Sequence, residues 1–181
     1  MRSKFPSLKS MRLPERVSFE FPASAVGRWS PALAAKADGD EDSTISIYDV
    51  IGYDPWTGSG VTAKRIAGAL RAIGKGNVTV NINSPGGDLF EGVAIYNLLR
   101  DHPGKVTTRV IGLAASAASL IAMAGEEIQI ARAGFMMIHN VWVLVIGNRN
   151  DLRDAADQLD AFDDALAEVY AMRTSLEKKA V

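Results

Sequence analysis

The chain of 181 residues contains no cysteine. A disulfide, a thiolate nucleophile and a Cys-based metal site are therefore excluded, and the redox compartment is left open. Histidine is almost as scarce. Only His102 and His139 occur, well apart in the chain, so no His-rich metal cluster is expected and nothing else in the sequence asks for a cofactor. Long apolar runs are missing too. The longest small and apolar stretch, Ile111 to Gly125, stops at Glu126 and Glu127. It falls short of the roughly twenty apolar residues a membrane-spanning helix needs, so it reads as a buried element. Net charge is nearly absent, at −1, which gives no general pull towards nucleic acid or an anionic membrane. The N-terminus lacks the apolar core of a secretory signal; Arg2, Lys4, Lys9, Arg12 and Arg16 among serines fit a transit peptide only loosely, and the expected compartment is the cytoplasm.

What remains is an ordinary globular composition, 48% hydrophobic and 23% charged, sufficient for one domain with a sizeable core. Residues 1–42 mix Pro, Ser and Ala with basic charge and close on Asp38-Gly39-Asp40-Glu41-Asp42, which predicts a flexible N-terminal segment before a compact domain over 43–181. Ile45 and Ile47, with Val50 and Ile51, predict a strand, and Asp54 to Gly60 a loop. Thr62 caps a helix carrying Ile66, Ala69, Leu70 and Ile73, which Gly74-Lys75-Gly76 stops. Val78, Val80 and Ile82 alternate with polar residues, a strand running into Ser84-Pro85-Gly86-Gly87. Leu89, Val93, Tyr96 and Leu99 then form the apolar stripe of a second helix. Val106 to Ile111 predicts a strand, Ala115 to Ala124 a helix, and Glu127 to Ala131 and Phe135 to His139 two further strands. Strands alternating with helices of this length imply right-handed crossovers and a mainly parallel sheet, an α/β fold.

From Asp151 to Leu176 the apolar positions Leu152, Ala155, Leu159, Phe162, Leu166 and Val169 step by three and four. They predict one amphipathic helix of roughly 25 residues, about 38 Å long at 1.5 Å per residue. Its acids, Asp151, Asp154, Asp157, Asp160, Asp163, Asp164 and Glu168, read as a solvated face. A helix this long cannot shield its stripe within a small domain, so it is expected to pair with the same helix of another subunit.

Three short segments carry chemistry. Ser116 sits in the small-residue run Gly112 to Ser119, downstream of Gly86-Gly87 and upstream of Met136-Met137-Ile138-His139. Each alone reads as structure: small residues allow close packing, glycines make turns, and a single histidine is often a satisfied core residue. Together, in this order and each behind a strand, they supply a hydroxyl, backbone N–H donors and an imidazole, the parts of acyl transfer. The chain reads as a serine peptidase.

Asn83-Ser84-Pro85-Gly86-Gly87, Gly112-Leu113-Ala114-Ala115-Ser116 and Met137-Ile138-His139 resemble the signature segments of the Clp protease proteolytic subunit (ClpP) family, ring-forming serine peptidases of the crotonase-like fold. The resemblance runs from about Ile45 to Leu176. It is nearest to the ClpP-related head maturation proteases of tailed phages and prophages, on Tyr48 to Gly52, Phe90-Glu91-Gly92, Ala114 to Ser119 and Ile138-His139-Asn140. It implies Ser116 as nucleophile, His139 as general base, and the N–H groups of Gly87 and Ala117 as oxyanion hole. Ser119 is the rival nucleophile; one turn further into its helix it is expected to be buried.

The resemblance also implies that substrate binds as an extended strand between Gly87 to Phe90 and Val141 to Val145, with Asp88, Leu89, Phe90, Val141, Trp142 and Val143 in contact. The helix over 151–176 matches the family's protruding handle, which interdigitates between stacked rings. The implied partners are polypeptide substrates, phage capsid or scaffold proteins among them, and further copies of the chain; no nucleic acid or membrane is implied. A phage-encoded enzyme would work in the bacterial host cytoplasm. In the family the carboxylate that orients the histidine follows the handle, in a segment this chain, ending at Val181, does not contain. The expectation is a truncated chain of weak or no activity, since losing that carboxylate costs orders of magnitude. Asn140, a handle acid or a neighbour's carboxylate is the alternative. Three other functions stay open: a housekeeping degradative subunit fed by an ATP-driven unfoldase, a crotonase-like acyl-CoA enzyme, and an inactive ring-forming pseudopeptidase.

Overall fold

The computed structural model describes residues 43–53 and 59–174. The N-terminal segment expected to be flexible, most of the loop after Tyr53, and the end of the chain from 175 lie outside the described residues. Five strands form one parallel sheet: β1 (Thr44–Ile47), β2 (Val78–Ser84), β3 (Val106–Ala115), β4 (Glu127–Ile130) and β5 (Phe135–Met137). Their order is β1-β2-β3-β4, with β5 also pairing to β3. The helices are α1 (Ala63–Ile73), α2 (Leu89–Arg100), α3 (Ala117–Ala122) and α4 (Arg149–Thr174).

The period-two pattern of β2 works as read. Val78, Val80 and Ile82 are buried with Ile45, Ile47, Val106 and Val110 of the flanking strands, under Ile66, Leu70, Ile95, Leu99 and Ile121 from the helices. β-Branched side chains suit such a pleated, covered surface. Thr62 caps α1, its hydroxyl accepting the Arg65 N–H, and Gly74 ends the helix at φ 79°. Asp88 caps α2 by accepting the Glu91 N–H at 2.8 Å, and Glu91 in turn accepts the Ala63 N–H, tying the starts of the two helices together.

Four sequence expectations shift. Val50 and Ile51 do not extend β1; Ile51 instead forms isolated bridges to Val61 and Gly87. The face α2 buries is centred on Gly92, Ile95 and Leu99, with Val93 and Tyr96 flanking it, because Gly92 lets the helix approach Ala117, where an added Cβ would lie 2.9 Å from the alanine methyl. The third strand runs on to Ala115, so α3 is only six residues long and does not begin before Ser116. Alanine favours helix, but here β5 offers Leu113, Ala114 and Ala115 strand partners in Phe135, Met136 and Met137, and tertiary pairing outweighs a weak local preference. The last strand stops at Met137, which puts His139 beyond its end.

β3 changes neighbour along its length. Thr107–Val110 pairs with β4 and Leu113–Ala115 with β5, and between them the register against β2 slips, from Ile82↔Val110 to Ser84↔Ala114. Asn83 fills the irregularity: its side-chain oxygen accepts the Leu113 N–H at 3.1 Å and lies where a Cβ on Gly112 would fall. The bulge thus splits the sheet and turns the end of β3 towards the site.

The long helix spans Arg149–Thr174 and is only partly outward-facing. Leu166, Val169 and Tyr170 pack on the domain's own core, and Ala155 is also buried. The stripe expected to await another subunit is therefore covered by its own domain at the C-terminal end, while Leu152 and Met172 stay exposed.

Candidate active site

Ser116 joins β3 to α3 with φ 53° and ψ −128°, the one non-glycine residue at positive φ among the described residues. Such a conformation costs on the order of 1–3 kcal/mol and persists only where its surroundings impose it. Here the Ser116 N–H donates to Met137 O at 2.9 Å, and the Ser116 carbonyl accepts from the N–H groups of Ser119 and Leu120 at 2.9 and 3.3 Å. The bond to Met137 also seats His139, two residues on, beside the turn. The Ser116 hydroxyl and the His139 ring make no hydrogen bond with any described residue.

Across from Ser116 runs the Pro85-Gly86-Gly87 turn, anchored by Ser84 Oγ, which donates to Asp49 O at 2.7 Å, and by Ile51, whose N–H donates to Gly86 O and whose oxygen accepts the Asp88 N–H. Only glycine fits there. Gly86 has φ 94°, and a Cβ on it would stand 2.5 Å from Ala115 O and 2.7 Å from Ser116 Cβ; Gly87 has φ 149°, and its Cβ would stand 2.1 Å from Ile51 O. Because Ile51 bonds the residues on either side of Gly87, the Gly87 N–H faces away from Ile51. Neither it nor the Ala117 N–H donates to a described residue.

These groups meet. Gly87, Ser116, Ala117 and His139 line one cavity together with Leu89, Leu120, Val141, Trp142, Leu166 and Tyr170. Of the residues expected to contact substrate, Leu89, Val141 and Trp142 line it; Asp88, Phe90 and Val143 do not. The extended edge expected over Gly87 to Phe90 ends at Asp88, because Asp88 is spent capping α2 and Leu89 and Phe90 form its first turn. Residues 141–145 lie outside the five strands. Among the described residues no three His, Asp or Glu side chains converge to hold a metal ion, and no helix is long and apolar enough to cross a membrane.

Sequence reasoning missed what α4 does here. Asp163, read as part of a solvated face, accepts from Asn140 Nδ2 at 2.8 Å and from the Val141 N–H at 2.6 Å, clamping the segment just after His139. Asn140, considered as a partner for His139, is bonded to that acid instead. Phe162 packs edge-on against Phe90, with ring centroids 5.7 Å apart and planes at 83°. Tyr170 is buried, and its hydroxyl lies 2.8 Å from Ser119 Oγ. Burial pushes the Tyr170 phenol above its usual range. Leu166 and Tyr170 continue the helical spacing of Leu159 and Phe162, so the signal was present; nothing in the sequence said which element they would meet. Ser119, the rival nucleophile, is fully buried and its Oγ donates to Ser116 O at 2.7 Å.

A parallel sheet of this order, with a strained serine at a strand-to-helix junction and a glycine turn facing it, defines the chain as an α/β protein. The chain belongs to the Clp protease family, whose family model matches residues 62–181. It is 27% identical over 173 residues to the ATP-dependent Clp protease proteolytic subunit 1 of Streptomyces avermitilis, covering 84% of this chain and 77% of that protein. Shorter matches reach 31% identity with the proteolytic subunit of Deinococcus radiodurans, over 56% of this chain and 51% of that one, and 36% with subunit 2 of Thermobifida fusca, over 54% and 51%. The chain thus spans about half the length of these last two relatives. A solved ClpP1 variant from Listeria monocytogenes superposes with a TM-score of 0.63 at 21% identity, covering 77% of each chain, which shows the ClpP-like fold.

Proposed function

We propose that this chain carries the active site of a serine endopeptidase working through an acyl-enzyme. The observation that carries the reading is the convergence on one cavity of a hydroxyl on a strained turn, an imidazole, and two backbone N–H groups that no described residue engages. Ser116 Oγ attacks the scissile carbonyl as His139 takes its proton, and the developing oxyanion is received by the N–H groups of Gly87 and Ala117. The imidazolium then protonates the leaving amine, the C–N bond breaks, and water activated by His139 releases the acyl group. The peptide runs between Gly87 and the Val141–Trp142 side, with Leu89 and Trp142 as walls. Family membership and the ATP-dependent proteolytic subunits among the relatives support peptidase chemistry.

For the biological role we retain processing of scaffold or capsid proteins during phage head maturation, in the host cytoplasm, on the strength of the motif resemblance; assembly into a ring or stacked rings through α4 belongs to the same reading. The names of the relatives favour a second reading, degradation coupled to an ATP-driven unfoldase. A fluorophosphonate probe tests the chemistry. Labelling at Ser116, with labelling and peptide hydrolysis both lost in Ser116→Ala, is the expected result; hydrolysis surviving in Ser116→Ala overturns it, and an unlabelled parent chain favours an acyl-CoA enzyme or an inactive ring-former. Cleavage of a capsid precursor without nucleotide supports the maturation role, whereas turnover only with an unfoldase and ATP replaces it with the degradative one.

A further inference from the structure

The two faces of the Ser116–Ala117 peptide have different fates. On one, the Ala117 N–H opens on the cavity; on the other, Ser116 O is held by the Ser119 N–H, the Leu120 N–H and the Ser119 hydroxyl, the last at 2.7 Å. A trans peptide is planar, with its C=O and N–H pointing in opposite directions, so anchoring the Ser116 oxygen also aims the Ala117 N–H. The anchor is needed because Ser116 sits at a strained φ of 53°, from which the peptide plane would otherwise relax.

Ser119 does not act alone. Its Oγ, fully buried, lies 2.8 Å from the hydroxyl of Tyr170, itself 5% exposed. A hydroxyl has one proton, and that of Ser119 is donated to Ser116 O, so Tyr170 is the donor in the second bond. The chain of bonds runs from Tyr170 through Ser119 to the Ser116 carbonyl, each member polarising the next in a water-poor interior. Tyr170 belongs to α4, which also grips the other parts of the site: Phe162 leans on Phe90 beside the glycine turn, and Asp163 holds Asn140 and Val141 after His139.

Resting on the peptidase reading above, we propose that Tyr170 and Ser119 are positioning residues that aim the Ala117 N–H at the oxyanion, so that the seating of α4 sets the strength of transition-state stabilisation. Neither side chain touches the reacting atoms. The effect falls on kcat rather than on KM, because an oxyanion donor matters most when charge has developed.

The test uses the full chain with Ser119→Ala, Tyr170→Phe and the double variant, assayed on one fluorogenic peptide. Removing an oxyanion donor outright costs about 100- to 1,000-fold, so misaiming one is expected to lower kcat by about 10-fold in Ser119→Ala and somewhat less in Tyr170→Phe, with KM within about two-fold. Because the two act in series, the double variant is expected to be no slower than Ser119→Ala. Inhibition by a peptidyl boronate, whose tetrahedral adduct occupies the oxyanion position, weakens by the same factor as kcat/KM, a readout that a merely structural role would not move. Unchanged kcat in both single variants, multiplied losses in the double, or boronate affinity indifferent to the substitutions overturns the assignment while the peptidase reading stands. Full turnover by Ser116→Ala sinks both. If Tyr170→Phe fails to fold, Ser119→Ala decides through the boronate comparison.

Discussion

In the layer made by β1, β2 and the first half of β3, apolar side chains are almost wholly withdrawn from solvent: Ile47, Val80 and Ile82 are at 0% exposure and Val110 at 1%. Along β5 and the segment leading to α4 they are not, with Phe135 at 71%, Leu144 at 64% and Ile146 at 75%. The first region buries itself through strand–helix–strand repetition, each helix lying over the strands it connects. In the second, the described residues provide no such cover. The active-site candidate lies on the seam between the two, where the bulge in β3 hands the strand from β4 to β5. A site at that seam takes rigidity from one side, through Ser84, Ile51 and Gly86, and depends on α4 for the other.

That contrast can be broken most directly at Ile82. Truncation by Ile82→Ala removes a fully buried side chain and is expected to cost about 2–5 kcal/mol of stability in urea unfolding. Phe135→Ser, on the open side, is expected to stay within about 0.5 kcal/mol in a dilute sample. Equal losses would mean that the two halves are covered alike, and the comparison would fail.

The seam itself is sharpened by Gly86→Ala. The new methyl falls 2.5 Å from Ala115 O at a φ of 94°, so the turn facing Ser116 has to move. Displacement of about 1 Å at reacting groups can cost about 100-fold, so a loss of that order in kcat/KM is expected, with circular dichroism showing the sheet intact. Activity within about two-fold of the parent would show that the glycine turn does not set the site.

The smallest effect concerns α4 and alkaline pH. Burial raises the Tyr170 phenol above its unfolded value, so above about pH 10 the unfolded chain releases a proton that the folded one retains, and stability falls as pH rises. The contribution is fully present below the unfolded pKa and is lost on the way up to the folded one. Melting temperatures between pH 8 and pH 11 are expected to drop less steeply in Tyr170→Phe than in the parent; parallel curves would show that this phenol does not carry the difference.

Much of the molecule follows from local pattern. The period of two in Val78 to Ile82, the Thr62 cap, the Gly74 stop and the three-and-four spacing over 151–176 each report which face of a segment is apolar, and a strand or helix follows from that geometry alone. The order of the motifs likewise marked Gly87, Ser116 and His139 as a set, because acyl transfer needs those chemical types whatever the fold. Only the tertiary structure decided that Gly112 to Ala115 is strand, since that depends on β5 arriving to pair with it, in register from Leu113 to Phe135. It alone decided that Asp88 caps a helix rather than lining a substrate edge, that Asp163 turns from solvent to hold Asn140, and that Tyr170 reaches Ser119 from 51 residues away. Spacing within a segment records which side of it is apolar; it carries no record of which distant segment that side will meet, and the hydrogen bonds that shape this site are made across such meetings.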